Sequence, residues 1–157
     1  QLSRFFHLRL SREPVPITGR LTFLGEIERR TDFEARSPLG VVEEAGQEKD
    51  DFLLDDSALA YRSPQGLVVV TGCSHSGICN ILEHAKKVCG DDRVLGILGG
   101  LHLLDPAPEQ LAGTAAYLKA LRPRSLHACH CTDLPSKIAL SSVADLKEVG
   151  VGLTLEW

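Results

Sequence analysis

The sequence predicts an α/β fold in which helices cover a largely parallel sheet. Three short apolar segments, at residues 67–70, 94–99 and 125–131, are each followed by a stretch in which apolar residues recur at helical spacing. Regular alternation of strand and helix is typical of parallel β-α-β units with right-handed crossovers. We therefore expect the order β-α-β-α-β-α-β from residue 67 to residue 157.

The first of these units places a histidine at a strand end. Leu67–Val70 is rich in β-branched residues and is predicted to be a buried strand. Small residues at 71–77 (TGCSHSG) stop it, and helical spacing then continues to about Cys89, with Gly90 as the stop signal. His75 is therefore predicted on a strand-to-helix loop, where α/β proteins concentrate their chemistry.

The other two units repeat the arrangement. The second strand leads through glycines to His102, and the third ends in Cys-His-Cys-Thr, which contains His130. Helices are predicted at about 108–121 and 134–149, followed by a closing strand at 151–157.

The first 66 residues are predicted to be less regular. Residues 1–10 alternate basic and apolar side chains, which is consistent with an entering strand, and 21–27 is a second candidate strand. Residues 28–51 are acidic and without a sustained period, so we predict an exposed excursion that either covers a substrate mouth or is a solvated loop. Residues 55–61 are predicted to pair with 67–71 through a tight turn.

Composition narrows the functional class. At 157 residues, with 43% hydrophobic and 24% charged residues, the chain has the size and balance of one globular domain. A net charge of −4 gives no electrostatic support for nucleic-acid binding, and no apolar run is long enough to cross a membrane. Five cysteines, an odd number, favour reduced thiols and a cytoplasmic setting. The sequence lacks methionine, even at position 1, so it is not expected to be a complete translation product.

Two common loop motifs do not fit residues 72–77. Gly72 and Gly77 have Walker spacing, but Ile78 stands where the lysine should be. A nucleophile elbow needs Gly-x-Ser-x-Gly, and Ser76 replaces the second glycine. Three strands that each deliver a histidine to one sheet edge instead indicate ligands for zinc, iron or manganese, in a site with an open position.

These segments together resemble the metallo-β-lactamase-fold hydrolases. The resemblance is carried by TGCSHSG at 71–77, GGLHL at 99–103 and HCT at 130–132, with further likeness in GEIERRTDFE at 25–34 and DDSAL at 55–59. It covers about the whole chain and is closest to the branch that contains the archaeal dihydropterin ribofuranosylaminobenzene-phosphate synthase.

The resemblance implies a four-layer αββα sandwich of two similar halves, with a one- or two-metal site between them. The first half would carry a His-x-His-x-Asp-His motif, and no two histidines here are separated by one residue. Residues 1–157 are therefore predicted to be the second half. The missing half, in the same chain, would supply the general acid/base carboxylate.

The resemblance also assigns residues to the site. His75 matches the third metal-binding motif and His130 the last, whereas His102 stands where many members place a metal-bridging acid. The hydroxyl residues beside them are predicted substrate contacts: Ser74, Ser76 and Thr132. Asp133 replaces a glycine usual in the family, and its charge argues against phosphate binding in that loop.

The predicted function is a metal-dependent hydrolase, or a related enzyme with a phosphate-bearing substrate, that uses metal-activated water. The expected cofactor is zinc, with iron or manganese as alternatives. The expected partners are a phosphorylated or cyclic small molecule, the missing half and another copy of the chain. No nucleic acid or membrane partner is expected.

Two other functions stay open on the residues alone. A structural zinc site could use Cys73 and His75 with Cys129 and Cys131, although strand alternation would put 129 and 131 on the face opposite His130. A metal-free small-molecule or phosphate-binding module could instead use the loop from Gly72 to Gly77.

Overall fold

A computed structural model describes residues 2–157 and shows a mixed six-stranded sheet with three helices and a separate hairpin. The strands of the sheet are β1 (Val15–Pro16), β2 (Leu21–Phe23), β5 (Ala58–Ser63), β6 (Gly66–Thr71), β7 (Val94–Gly99) and β8 (Ser125–Ala128). Their order across the sheet is β1-β2-β5-β6-β7-β8. The hairpin consists of β3 (Gly40–Glu44) and β4 (Gln47–Asp51), and the helices are α1 (Ile78–Cys89), α2 (Pro108–Leu121) and α3 (Leu134–Ser141).

The sheet is antiparallel on one side and parallel on the other. Strands β1, β2, β5 and β6 pair antiparallel, whereas β6, β7 and β8 pair parallel because α1 and α2 form the crossovers between them. The predicted strand-helix alternation is confirmed here, and α2 has the predicted bounds. The carboxyl ends of β6, β7 and β8 consequently lie side by side.

The core lies between the sheet and the helices. Leu67, Val69 and Ile97 alternate with other residues along β6 and β7, and all three are fully buried in one cluster with the apolar face of α1. That face is built at helical spacing from Ile78, Ile81, Leu82 and Ala85. Gly90 ends α1 in the left-handed conformation, as predicted.

Both ends of the chain differ from the sequence prediction. Residues 2–4 form a short 3-10 helix, and no strand follows before residue 15; Gln1 lies outside the described residues. Helix α3 stops at Ser141, and residues 151–157 form no strand. The Trp157 ring instead packs on β7 against Gly96, where any Cβ would overlap with it. Side-chain packing, rather than strand pairing, thus holds the last residue.

The excursion at 28–51 is more structured than predicted. Its second part is the exposed hairpin β3–β4, with Ala45 and Gly46 at positive φ in the turn. Its first part carries the buried Glu34, whose carboxylate accepts the N–H groups of Cys79 and Asn80 at 2.9 and 3.0 Å. Because α1 has no side-chain cap of its own, Glu34 caps it from a distant segment.

The strands at 21–27 and 55–61 are also shifted. β2 ends at Phe23, and β5 begins only at Ala58, so Asp55 and Asp56 precede the strand. Within residues 2–157, no helix combines the length and the apolar character that a bilayer crossing needs.

Candidate metal centre

Three strand-end loops are joined to one another at the parallel edge of the sheet. The Gly100 N–H donates to the Gly72 carbonyl at 2.8 Å, and the Ser74 hydroxyl donates to the Gly100 carbonyl at 2.6 Å. On the other side, the Leu101 N–H donates to the Thr132 hydroxyl oxygen at 3.1 Å. These hydrogen bonds fix the loops after β6, β7 and β8 relative to one another.

Each of these loops also holds a non-glycine residue at positive φ. The residues are Ser74 at 60°, His102 at 51° and Cys131 at 45°. This region is uncommon for residues other than glycine, costs about 1–3 kcal/mol per residue, and is concentrated at functional sites. The surrounding hydrogen bonds hold the backbone in this conformation.

His75 and His102, which follow the neighbouring strands β6 and β7, lie next to each other at the carboxyl ends of those strands. Their ring centroids are 4.8 Å apart, with the planes nearly perpendicular. Burial lowers the pKa of His102, and the neighbouring His75 lowers it further. Both imidazoles line a groove of about 540 Å³ together with residues of the excursion and the start of α2.

The carboxylate of Asp56, to which the sequence assigns no role, lies behind His75. Asp56 Oδ1 lies 3.8 Å from His75 Nδ1, and the Asp56 side chain is only 6% exposed. Its other oxygen, Oδ2, accepts the Ser76 N–H at 2.8 Å. At 3.8 Å the two atoms are in ion-pair range rather than hydrogen-bonded. A carboxylate behind one ring nitrogen is the usual arrangement that orients a histidine ligand, with the other nitrogen facing the metal.

His130 lies in a different group of side chains. Its Nε2 is 3.1 Å from Cys73 Sγ, and the ligand atoms of Cys73, His130 and Cys131 all lie within 4.8 Å of one another. Among residues 2–157, these three residues are the only group of three or more His, Cys, Asp or Glu side chains whose ligand atoms lie this close together. The three predicted histidines therefore share one edge but divide into a pair and a thiol-containing cluster.

Strand alternation does not separate His130 from Cys131, so that prediction is wrong. β8 ends at Ala128, so residues 129–131 are not extended strand. The positive φ of Cys131 turns its thiol toward Cys73, whereas Cys129 donates to the His127 carbonyl at 3.5 Å and stays outside the cluster.

The predicted substrate hydroxyls lie inside the fold. Ser74 and Ser76 are each 1% exposed and Thr132 is 6% exposed. Ser74 and Thr132 use their hydroxyls to join the three loops. In this structure these groups support the site rather than face the groove.

Asp133 also has a local use. Its side chain caps α3 by accepting the Ser136 N–H at 2.7 Å, and its second oxygen accepts the Asp105 N–H at 2.7 Å. Its φ of −73° requires no glycine. The expected backbone restriction is therefore absent, and the Asp133 carboxylate links the loop of Asp105 to the start of α3.

A larger cavity, of about 990 Å³, lies elsewhere. Residues 9–12, the hairpin and the segment before β5 line it, and none of the three histidines does. The two imidazoles converge instead in the smaller groove.

Comparison with a solved structure shows the fold. The chain superposes on Tm1679, a metal-dependent hydrolase of the β-lactamase superfamily, with a TM-score of 0.83 and 28% identity over 96% of this chain. The chain has the metallo-β-lactamase fold. The predicted αββα class and the predicted resemblance are thus confirmed.

Sequence relatives point to the same branch of this fold. The chain is 34% identical over 126 residues, 78% of its length, to a 7,8-dihydropterin-6-methyl-4-(β-D-ribofuranosyl)-aminobenzene-5'-phosphate synthase from Methanocaldococcus jannaschii. It is 28% identical over 136 residues, 87% of its length, to an uncharacterized protein of the same archaeon. No family model matches the chain.

This metallo-β-lactamase-fold chain is shorter than the proteins it matches. It spans 43% and 49% of the two curated relatives and 58% of the Tm1679 chain. The imidazoles and the carboxylate at its edge fit a divalent metal in their donor chemistry, since nitrogen and oxygen ligands suit zinc, iron and manganese.

Proposed function

We propose that this chain supplies one side of the metal centre of a metal-dependent hydrolase. The observation that carries the proposal is the contact between His75 and His102, from two parallel strand ends, in a groove with the buried Asp56 behind one ring. The likeness to a metal-dependent hydrolase at a TM-score of 0.83 supports it.

The residues have separate tasks in this proposal. His75 and His102 bind the metal, and Asp56 holds the His75 ring in the ligand orientation. His130 is the third predicted ligand, on the neighbouring loop. In this proposal, the other ligands and the general acid/base carboxylate lie in a half that corresponds to the part of the relatives that this chain does not span.

A bound divalent metal, with zinc preferred over iron or manganese, supplies Lewis acidity and lowers the pKa of water to near neutrality. The chain provides the cavity for the substrate. Arg36, Gln110, Asp32 and Glu109 line the groove beside the two histidines, so its lining fits a polar small molecule, and we propose a phosphorylated or cyclic one. We propose a cytoplasmic enzyme without nucleic-acid or membrane partners.

The test uses protein expressed from the full reading frame that encodes this chain. Phosphoesters and cyclic phosphates are assayed before and after chelation, and again after zinc, manganese or iron is restored. We expect activity that chelation removes and one metal restores, with loss of turnover in His75→Ala and His102→Ala. His7→Ala is the matched control because His7 is exposed and distant in sequence from the loops. Activity indifferent to chelation would refute the proposal.

A second candidate function is synthesis rather than hydrolysis. The 34% identity to the dihydropterin phosphate synthase favours it. Formation of the product named for that relative, with no turnover of simple phosphoesters, would select this candidate. It uses the same groove and the same histidine variants.

A further inference from the structure

We propose that Cys73 and Cys131 are a site of reversible oxidation, at which the two thiols join in a disulfide bond between the loops after β6 and β8. Cys73 lies in the first of these loops and Cys131 in the second. Their sulfur atoms lie within 4.8 Å of each other, and both thiols are free in the structure. The bond itself requires neither a metal nor the proposed hydrolase activity.

The backbone brings the two cysteines into range. Cys131 adopts φ 45°, and its Sγ lies 3.5 Å from the Cys73 carbonyl oxygen. The Cys131 thiol therefore lies against the backbone of Cys73 itself. A sulfur–sulfur bond is about 2.05 Å long, and rotation of the two side chains about their Cα–Cβ bonds closes the remaining gap.

The loop after β7 lies between the two cysteine loops and holds them together. The Gly100 N–H donates to the Gly72 carbonyl at 2.8 Å, and the Leu103 N–H donates to the Cys131 carbonyl at 2.8 Å. A Cβ at Gly100 would overlap with Cys131 Sγ, so glycine at this position leaves the space that the thiol occupies. The approach of the two thiols is thus fixed by the backbone at three strand ends.

Exposure separates this pair from the other three cysteines. Cys73 and Cys131 are both partly exposed, so a small oxidant reaches them from solvent. Cys79 and Cys89 are buried on α1, and the Cys129 thiol donates to the His127 carbonyl at 3.5 Å. We therefore expect one defined bond rather than a mixture of pairings.

A hydroperoxide is a sufficient oxidant, and hydrogen peroxide is the simplest one. One thiol is oxidised to a sulfenic acid as the peroxide O–O bond breaks and one water molecule leaves. The second sulfur then displaces hydroxide from the first, and the hydroxide takes the remaining thiol proton to become a second water molecule. The two sulfurs together lose two electrons, which reduce the peroxide. A dithiol reductant reverses the bond by thiol–disulfide exchange.

The disulfide also changes the surroundings of the predicted ligands, an effect on activity that rests on the proposed function. In the reduced protein Cys73 Sγ lies 3.1 Å from His130 Nε2. Bond formation moves that sulfur away from the ring and ties the loop of His75 to the loop of His130. We therefore expect hydrolase activity to fall on oxidation and to return on reduction.

The test uses reduced protein from the full reading frame, treated with a small excess of hydrogen peroxide and then with dithiothreitol. Its peptides are mapped by mass spectrometry without prior reduction. We expect a linked pair of peptides that contain Cys73 and Cys131, lighter by two hydrogen atoms and separated again by dithiothreitol. The matched control Cys129→Ser should form the same bond, whereas Cys73→Ser and Cys131→Ser should lack it.

Thiols that stay reduced, that become sulfinic acids without a bond, or that pair with other cysteines would overturn the proposal. Turnover, measured on the same samples, tests the effect on activity, and equal turnover in the linked and reduced protein would overturn that effect. Absence of turnover before oxidation, with the bond still formed, would refute the proposed hydrolase and support the disulfide.

Discussion

Asp56 Oδ1 lies 3.8 Å from His75 Nδ1, although the two residues are on different strand-end segments. Asp56 immediately precedes the antiparallel β5, and His75 follows the adjacent β6. The pairing of these two strands therefore places a buried carboxylate behind a ligand-type imidazole. It brings Asp56, to which the sequence alone assigns no role, next to His75.

Asp56→Asn is expected to weaken metal binding by about 10–100-fold, the usual effect of losing an outer carboxylate behind a histidine ligand. The amide keeps an oxygen for the Ser76 N–H, so folding should change little. Metal affinity measured by competition with a chelator checks this. Asp55→Asn is the control because Asp55 is exposed, and equal affinities for the two variants would contradict the role of Asp56.

Gly77→Ala is expected to destabilise the fold by about 1–3 kcal/mol, since Gly77 has φ 91° and ψ 134°, a region that side chains rarely adopt. A Cβ there would also overlap with the Glu34 carboxylate. Urea unfolding measures the change. Gly72→Ala is the matched control in the same loop, because an added Cβ meets nothing within 4 Å and φ is not positive. Equal stabilities of the two variants would refute this account of the loop.

Glu34 is expected to make stability depend on pH. Burial raises the pKa of its carboxyl above the usual 4.5, although the N–H groups of Cys79 and Asn80 oppose the shift. The folded state therefore binds the proton more tightly than the unfolded state. The resulting stabilisation is fully present below pH 4.5 and is lost as pH rises through the folded-state pKa.

Urea unfolding of the unaltered protein and of Glu34→Gln across this range tests the sign. The stability of the unaltered protein relative to Glu34→Gln should fall as pH rises. A difference that stays constant, or that grows with pH, would contradict the assigned shift. Asp32→Asn, at an exposed position of the same segment, is the control.

Asp133→Ala is expected to lower Tm by removing the cap of α3 and the link to Asp105, whereas Asp133→Asn should keep most of the cap. The Asp105 and Ser136 N–H groups lower the pKa of the Asp133 carboxyl below 3.8. Its contribution is therefore present above pH 3.8 and is lost as pH falls through the folded-state pKa. Thermal unfolding of the unaltered protein and of both variants, from neutral to acidic pH, checks this. Equal Tm values for the unaltered protein and Asp133→Ala at neutral pH would contradict it.

Much of the parallel part of the fold follows from local sequence. Apolar runs that end in small residues, followed by helical spacing, were enough to predict β6-α1-β7-α2-β8 and to place His75 and His102 at strand ends. Both signals depend on residues close together in the chain.

The remaining features depend on contacts between distant residues. Glu34 caps α1 across 45 positions, and Asp56 reaches His75 only through strand pairing. Cysteine seldom adopts a positive φ, so nothing in the sequence indicates this conformation at Cys131. The cluster of Cys131 with His130 therefore could not be predicted from strand alternation. The position of Trp157 on Gly96 likewise requires the folded sheet.

The most direct test of the metal centre is metal content by mass spectrometry, on protein from the full reading frame. His75→Ala, His102→Ala and the control His7→Ala are measured alongside the unaltered protein. The account predicts at least one divalent metal per chain, reduced in the first two variants and unchanged in the third. Protein without metal, or with metal that neither His75→Ala nor His102→Ala reduces, would contradict it.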